Sequence, residues 1–329
     1  MKIYPWQQSV WQRLMRQKAR LSHAILLHGR AGMGKLDFAL HLSQSLLCVS
    51  PQDGHACDQC PQCGWFKEES HPDFKRIAPE DAEPTEDAPK KKSTKKSQIS
   101  VDQIRQLTQL LSLSNHSTTA LRIVLIHPAE AMNLASANAL LKMLEEPPNN
   151  TVFILVSHQV QRLLPTIRSR CQAIAMPMPE RDLALSWLQS QQVKTPQDLL
   201  DYAGGAPLSA LEQASDYPVQ TEVYQHLTKG AKLDVSACAN ALLSNGMESA
   251  INLLQKWVFD LQLATHQIPN HYHVAMLKPL QALAKSVNLN GLLDFQRLLV
   301  QAKQTANHPL SQELQLEVLL LQYKRIFKH

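Results

Sequence analysis

The 329-residue sequence lacks any apolar run long enough to span a membrane, and its first residues, Met1 to Gln7, hold no apolar signal core. A membrane helix needs about 20 consecutive apolar residues. We therefore expect a protein that acts in the cytoplasm and has no membrane partner. Hydrophobic residues make up 44% of the chain and charged residues 19%, which is typical of a folded globular protein rather than a disordered one.

The sequence also lacks a strong excess of one charge, since its formal net charge is only +5. Residues 80–97 contain five acids and five lysines, which cancel, so the excess is spread over the rest of the chain. This is a weak indication of a polyanionic partner. Residues 78–98 have no large apolar side chain, and we expect them to form a disordered surface loop. A nucleic-acid contact through Lys90–Lys96 is the alternative function of that loop.

A glycine-rich turn follows the apolar run Ala24–Leu27, and apolar residues at helical spacing come after it. Strand, glycine turn and helix in this order are the context of a phosphate-binding P-loop. The turn contains Gly29, Gly32 and Gly34, whose backbone N–H groups could face a phosphate. Lys35 follows them and could reach the outer phosphate oxygens. A purely structural glycine turn between strand and helix is the alternative.

Two groups that a P-loop ATPase needs are missing. The position after the lysine, where a Ser or Thr hydroxyl binds magnesium, is occupied by Leu36. The next buried strand, Ile123–Ile126, is followed by His127 and Pro128 instead of the acids that hold magnesium and orient water. The sequence therefore predicts a degenerate nucleotide site. We expect no hydrolysis at this site, and ATP binding by this chain is doubtful.

Four of the six cysteines lie close together in the spacing C-x8-C-x2-C-x2-C. They are Cys48, Cys57, Cys60 and Cys63. Because a reducing compartment disfavours disulfides, four thiolates around one tetrahedral Zn²⁺ is the natural interpretation. A site without an open position would be structural. Ligation by His55 or His71 and an unmetallated redox cluster are the alternatives, whereas Cys171 and Cys238 are predicted to be small buried hydrophobes.

Up to residue 176, predicted strands alternate with predicted helices, which indicates an α/β fold with a parallel sheet covered on both faces. An amphipathic helix over 5–20 should turn Trp6, Val10, Leu14 and Trp11 inward. The P-loop strand and helix come next along the chain. The later elements are a strand over 71–77, a helix over 100–113 opened by a capping box, strands at 123–126, 151–156 and 173–176, and a helix over 136–146.

Strand patterns disappear after Pro179. Residues 180–213 are predicted to form a small helical unit and residues 216–329 a second, all-helical region. Its helices are expected near 218–229, 234–244, 247–266, 272–286, 289–306 and 310–327. The last of these is rich in leucine, which is typical of a core and sometimes of an oligomer interface. The predicted domains are therefore 1–176, 177–214 and 215–329.

These motifs together resemble the clamp-loader AAA+ family. The residues that carry the resemblance are the loop Gly29–Lys35, the four clustered cysteines, the run from Asn138 to Pro148 and the triplet Ser169-Arg170-Cys171. It covers nearly the whole chain, although the C-terminal third matches only in helical character. It implies a RecA-like P-loop sheet domain with a zinc module at 48–63. A helical lid domain and an all-helical collar domain that joins a five-membered ring would follow.

The resemblance also implies a function. The chain would be a subunit of the DNA polymerase III clamp loader, with gamma/tau ATPases and a delta subunit as partners, and with the sliding clamp and primed DNA reached through the complex. Family ATPases carry an arginine in the lid where this chain has Leu208. This is the third ATPase feature that the chain lacks, after the hydroxyl at position 36 and the acid at position 127. Arg170 would serve a neighbouring subunit's ATP as an arginine finger in trans.

Two other functions compete with this one. The first is a working ATPase of the same family, which a hydroxyl at position 36 and an acid at position 127 would have favoured. The second is a free-standing zinc-dependent nucleic-acid binder. Such a binder should show basic and aromatic residues around its cysteines, and only Trp65, Phe66 and Lys67 qualify.

Overall fold

The structure is a computed structural model that describes residues 3–79, 98–113, 121–304 and 311–327. It separates into two compact units, Met1–Glu180 and Arg181–His329. The first unit is α/β and the second is helical in its described part, as the sequence predicts. The predicted division of the helical part at residues 214 and 215 stays a prediction. Nearly all of the predicted disordered loop, 78–98, lies outside the described residues.

A five-stranded parallel sheet forms the centre of the first unit, with the strand order β2-β3-β4-β1-β5. The strands are β1 Ala24–His28, β2 Phe74–Ile77, β3 Arg122–Ile126, β4 Thr151–Ser157 and β5 Gln172–Ala175. In β1, Leu26 packs into one apolar cluster, whereas Ile25 and Leu27 pack into the other. Because neighbouring side chains of a strand point to opposite faces, the two clusters lie on the two faces of the sheet. The predicted sheet with both faces covered is confirmed.

In the first unit, α-helices come before, between and after the strands. They are α1 Gln8–Arg16, α2 Lys35–Leu47, α3 Pro61–Lys67, α4 Val101–Leu113, α5 Leu134–Glu145 and α6 Pro165–Arg170. The helix predicted over 5–20 is shorter, with 3-10 turns on either side, but its four predicted inward residues are buried. The capping box of α4 is confirmed, because Ser100 and Gln103 exchange side-chain hydrogen bonds with each other's backbone N–H.

The second unit consists of helices joined by turns. Its α-helices are α7 Arg181–Ser190, α8 Pro196–Tyr202, α9 Pro207–Glu212, α10 Tyr217–Leu227, α11 Val235–Leu243, α12 Met247–Thr265, α13 Leu277–Ala284, α14 Leu289–Gln304 and α15 Gln312–Arg325. A small apolar cluster joins α7, α8 and α9, and a larger one is centred on Trp257 and Tyr323. The Trp257 indole donates to the Tyr323 hydroxyl at 2.9 Å, and that hydroxyl donates to the Leu227 carbonyl at 3.0 Å.

The leucine-rich helix α15 divides its apolar residues between the core and the surface. Leu316 and Leu320 are fully buried, whereas Leu314 and Val318 are 62% and 56% exposed. One face of α15 therefore belongs to the core, and the other face is available for an interface. Across the described residues, none of the helices has the length and apolar character that crossing a membrane requires.

Candidate functional site

The glycine-rich turn lies between β1 and α2, as the sequence predicts. Gly29, Gly32 and Gly34 have positive φ angles of 142°, 75° and 74°. A side chain at position 34 would also be blocked by packing, because a Cβ atom there would lie 2.4 Å from the Tyr4 ring. Gln7 closes the same side of the turn by donating from Nε2 to the carbonyls of Met33 at 2.8 Å and Gly34 at 2.9 Å.

Lys35 is the first residue of α2 and is only 1% exposed. Its ammonium group donates to the backbone carbonyl of Arg30, within the same turn. Burial lowers the pKa of Lys35 to about 8, although the nearby Glu130 carboxylate opposes that shift. The lysine that could bind a phosphate is therefore folded back on its own loop.

Two histidines meet where β3 and β4 end. Nε2 of His127, just after β3, lies 3.1 Å from Nε2 of His158, just after β4. Burial, together with the neighbouring His158 and Arg76, lowers the pKa of His127 to about 4, so the ring is neutral at physiological pH. One carboxylate oxygen of Glu130 accepts a hydrogen bond from the His158 backbone N–H at 2.8 Å. The carboxyl end of β3 thus carries a neutral histidine at the position where an ATPase would have a carboxylate.

The four predicted cysteine ligands come together in one cluster. Cys48 ends α2, Cys57 and Cys60 lie in the following loop, and Cys63 lies in α3, a helix that the sequence analysis missed. Their sulfur atoms all lie within 4.8 Å of one another. Cys48 Sγ lies 3.4 Å from Cys57 Sγ and 3.9 Å from Cys60 Sγ. Zn–S bonds of about 2.3 Å in a tetrahedral site place sulfur atoms about 3.8 Å apart, so the cluster fits a metal ion.

The electrostatics of the cluster also favour the thiolate form of Cys60. Burial opposes ionisation of Cys60, but hydrogen bonds from the backbone N–H groups of Cys63 and Val49 outweigh it and lower its pKa to about 6. The backbone N–H of Cys57 donates to Cys48 Sγ at 3.2 Å. Backbone donors of this kind hold thiolates in place for a cation.

The two rival histidine ligands lie outside the cluster of sulfur atoms. His55 Nδ1 lies 2.9 Å from His41 Nε2, and the His55 ring stacks on Trp11 at a centroid distance of 4.9 Å. His71 is nearly buried, and its Nδ1 accepts from the Asp73 backbone N–H at 3.1 Å. Among the described residues, the cluster able to hold a metal contains the four cysteines without either histidine. Cys238 is fully buried in the helical core, as predicted. Cys171 packs against the sheet core but is only partly buried, so the prediction of a buried residue is wrong for it.

Arg170 is the last residue of α6, just before the edge strand β5. Its side chain is 36% exposed and forms an ion pair with Glu145 at the end of α5, with 2.6 Å between Nη2 and Oε1. Its Nη1 also donates to the Thr166 carbonyl at 3.0 Å. No motif in the sequence marks Glu145 as the partner of Arg170, or His158 and Tyr4 as neighbours of the side chains that follow the glycine turn. No local pattern could have found them, because each contact joins residues that are distant in the chain.

Comparison with known proteins agrees with these motifs. A family model described as "DNA polymerase III, delta subunit" matches residues 6–180. The DNA polymerase III subunit delta' of Pseudomonas aeruginosa is 35% identical over 98% of this chain and 97% of its own length. The Escherichia coli subunit delta' is 35% identical over 64% of this chain and 60% of its own length.

A solved structure, a DNA polymerase III gamma subunit-related protein from Thermotoga maritima, covers 97% of this chain and 99% of that one at 17% identity and a TM-score of 0.46. That likeness is too distant to support an argument about this chain. The family match over residues 6–180 and the likeness to the Pseudomonas aeruginosa subunit over almost the full length are decisive. The chain belongs to the delta-prime family of DNA polymerase III subunits.

Proposed function

We propose that this chain is a non-hydrolysing subunit of the DNA polymerase III clamp loader and that it assists ATP hydrolysis in a neighbouring subunit. The observation that carries the proposal is the geometry around the P-loop. Lys35 is buried and bonded to the Arg30 carbonyl, Leu36 supplies no hydroxyl, and β3 leads to the neutral His127. Hydrolysis in P-loop ATPases needs a magnesium ion held by a hydroxyl and an acid, and both are absent from these positions.

Nucleotide binding by the chain itself should be weak for the same reasons. A phosphate would have to displace the Arg30 carbonyl from Lys35. Burial also makes the charged form of Lys35 costly, which is why its pKa is lowered to about 8. The loop retains the glycines of a phosphate site without the groups that would activate the bound nucleotide.

The contribution of this subunit to catalysis would be Arg170, acting on ATP bound to the adjacent ATPase. A guanidinium is always charged and can bond two phosphate oxygens at once. Its present partner, Glu145, is about half exposed. Because an exposed ion pair contributes only about 0–1 kcal/mol, Arg170 can exchange Glu145 for a phosphate at little cost. Its place in Ser169-Arg170-Cys171, the triplet shared with the family, also favours this role.

The cysteine cluster would hold one structural Zn²⁺. Four sulfur ligands at tetrahedral spacing leave no open position for a substrate, and zinc is the metal that such sulfur sites select in a reducing compartment. Cys48 terminates α2, the helix that begins at the P-loop, while Cys63 lies in α3. Zinc would therefore fix the connection between these two helices.

The helical region 215–329 would be the collar that joins this subunit to gamma/tau ATPases and delta in a hetero-pentameric ring. Exposed apolar residues on α14 and α15 support this role, because large apolar side chains in water are typical of interfaces. They are Leu289, Leu293, Leu298, Val300, Leu314, Val318 and Leu321. The sliding clamp and primed DNA would be reached through the assembled ring.

The test is a ring reconstituted with Arg170→Ala. We expect normal assembly but slower ATP hydrolysis and slower clamp loading on primed DNA, because one of several sites in the ring loses its arginine finger. A finger in trans contributes roughly 10³–10⁵ in rate at its own site, so the loss for the whole ring is smaller. Arg170→Lys should rescue little, since a lysine lacks the two-pronged geometry.

Arg162→Ala is the matched control, because Arg162 is an exposed arginine of the same unit. An Arg170→Ala ring that hydrolyses ATP and loads clamps at the control rate would contradict the finger assignment. Magnesium-dependent hydrolysis by the isolated chain, abolished by Lys35→Ala, would instead favour the alternative of an active ATPase subunit.

A further inference from the structure

The beginning of the chain carries charge of a single sign. Seven lysines and arginines precede the first acid of the sequence, Asp37. Four of these cations lie on α1 or in the 3-10 turn that follows it. They are Arg13, Arg16, Lys18 and Arg20. The three arginines are exposed, and none of the four has an ion-pair partner in the described part of the chain.

Two of these cations, Arg16 and Lys18, line a groove of about 630 Å³ between α1 and the loop that follows α2. Gln8, Gln12 and Arg16 line it from α1, and their spacing of four residues places them in one row along the helix. Lys18 extends that wall, and residues 51–55 of the cysteine loop form the other. A row of amide and cationic donors along an open groove suits a ligand that presents a series of acceptors.

Trp11 also lines the groove. Its side chain is only 2% exposed, and its indole N–H has no hydrogen-bond partner among the described residues. Indole nitrogen is a donor only, and a buried donor without an acceptor is costly. The unpaired cations Arg16 and Lys18, with the amide side chains beside them, indicate a ligand that is anionic and rich in acceptors. Asp53 is the single acid in the lining of the groove.

We propose that this groove, with its cations Arg16 and Lys18, binds the phosphate backbone of DNA. Arginine bonds phosphate oxygens through its forked guanidinium, and a row of cations along a helix can follow successive phosphates. Because the Trp11 ring is buried against His55, it offers no exposed face on which a base could stack. Binding should therefore be independent of base sequence. This inference goes beyond the proposed function, since it gives the subunit its own contact with DNA and does not depend on Arg170.

The experiment measures fluorescence anisotropy of a labelled primed DNA titrated with the full chain at about 50–200 mM salt. The test variant is Arg16→Ala with Lys18→Ala. Each phosphate contact contributes about 0.9 to the slope of log affinity against log salt, so the slope should fall by about 1.8. In about 0.1 M salt this corresponds to roughly an eightfold loss of affinity per contact, or about 60-fold for both.

The matched control is Lys278→Ala with Lys285→Ala, which removes the same charge from exposed positions of the second unit. We expect the control to keep most of the affinity and the same salt slope. Two DNA sequences of equal length should bind alike. Circular dichroism checks that both variants are folded.

Three results would overturn the proposal. One is equal weakening by the test and control variants, which would mean that only the overall charge matters. Another is no binding of DNA by the unmodified chain at about 50 mM salt. A third is full displacement of DNA by polyglutamate of matched charge, which would favour an acidic protein segment as the occupant. None of these results affects the Arg170 experiment, so the two proposals can fail separately.

Discussion

Replacing Asp260 by alanine should destabilise the helical unit strongly, because this carboxylate holds a loop of the chain against α12. Asp260 is fully buried, and the loop after α12 folds around it. The backbone N–H groups of His271, Tyr272 and His273 donate to it at 2.8, 2.9 and 2.6 Å. The His273 ring adds a fourth bond, with Nδ1 at 2.8 Å from the carboxylate.

The magnitude follows from what the alanine would leave behind. Three backbone donors and one imidazole N–H would lose their acceptor in a place that water does not reach. Each buried donor left without an acceptor costs about 1–3 kcal/mol before relaxation, and four donors are affected. Even if the loop relaxes and admits water, the loss should be at least about 3 kcal/mol. For a unit of this size that corresponds to a fall in Tm of roughly 6–12 °C.

The assay is native-state hydrogen exchange of α12 amides followed by mass spectrometry, because a chain with two units need not unfold in one step. Asp294→Ala is the control, since Asp294 is exposed and, among the described residues, forms its ion pair with Arg297 on its own helix. The control should change stability by less than about 0.5 kcal/mol. If Asp260→Ala also lost less than about 1 kcal/mol, the carboxylate would not be holding the loop.

Asp260 and His273 also make the stability of the helical unit depend on pH. Burial alone would raise the pKa of Asp260, but the bonds from the His273 ring and the backbone of His271 outweigh it and lower the pKa. A lowered carboxylate pKa stabilises the fold fully above the ordinary value of about 3.9 and less as pH falls through it. The difference between wild type and Asp260→Ala should therefore shrink below about pH 4. Burial also lowers the pKa of His273, so the wild type should already weaken as pH falls below about 6.5.

Three further predictions concern the metal, the collar and the nucleotide site. Elemental analysis should find one zinc per chain, and Cys60→Ser should lower that content; a variant that keeps its full zinc would refute the four-cysteine site. Deleting residues 215–329 should abolish copurification with the other ring subunits while the first unit stays folded, and normal entry of the truncated chain into the ring would contradict the collar assignment. The purified chain should release no phosphate from ATP with magnesium, and turnover that Lys35→Ala abolishes would refute this.

Periodicity and turn signals predicted most of the fold because the strands are short apolar runs and most helices carry a one-sided apolar pattern. The exception after α12 is informative. A helix was predicted over 272–286, but α13 begins only at Leu277. The backbone N–H groups of residues 271–273 turn towards the Asp260 carboxylate, and His273 takes the non-helical dihedral angles φ −116° and ψ 61°, so the helix starts later. A contact between residues more than ten positions apart leaves no trace in local spacing.

The cysteine site was predictable and the partner of Arg170 was not, for a related reason. The four cysteines are of one chemical type at tight spacing, and their chemistry limits the geometry they can adopt. Arg170 could pair with any of many acids, and only the packing of α6 beside α5 brings Glu145 to it. Likewise, the absence of an acid after β3 was visible in the sequence. The identity of what replaces it, the His127–His158 contact, depended on the pairing of β3 with β4.

The retained glycines of the P-loop need not reflect nucleotide binding at all. A Cβ at Gly34 would meet the Tyr4 ring at 2.4 Å, and one at Gly29 would lie 3.0 Å from the Met176 carbonyl oxygen. Both positions also have a positive φ that other residues rarely adopt. Packing of the N-terminal segment and of the chain after β5 is therefore enough to require glycine, whether or not a phosphate ever binds. Leu36 is under no such backbone requirement, since it lies within the regular helix α2. The glycines alone therefore do not distinguish a phosphate-binding loop from a structural turn, and the side chains at positions 36 and 127 are the better indicators of nucleotide chemistry.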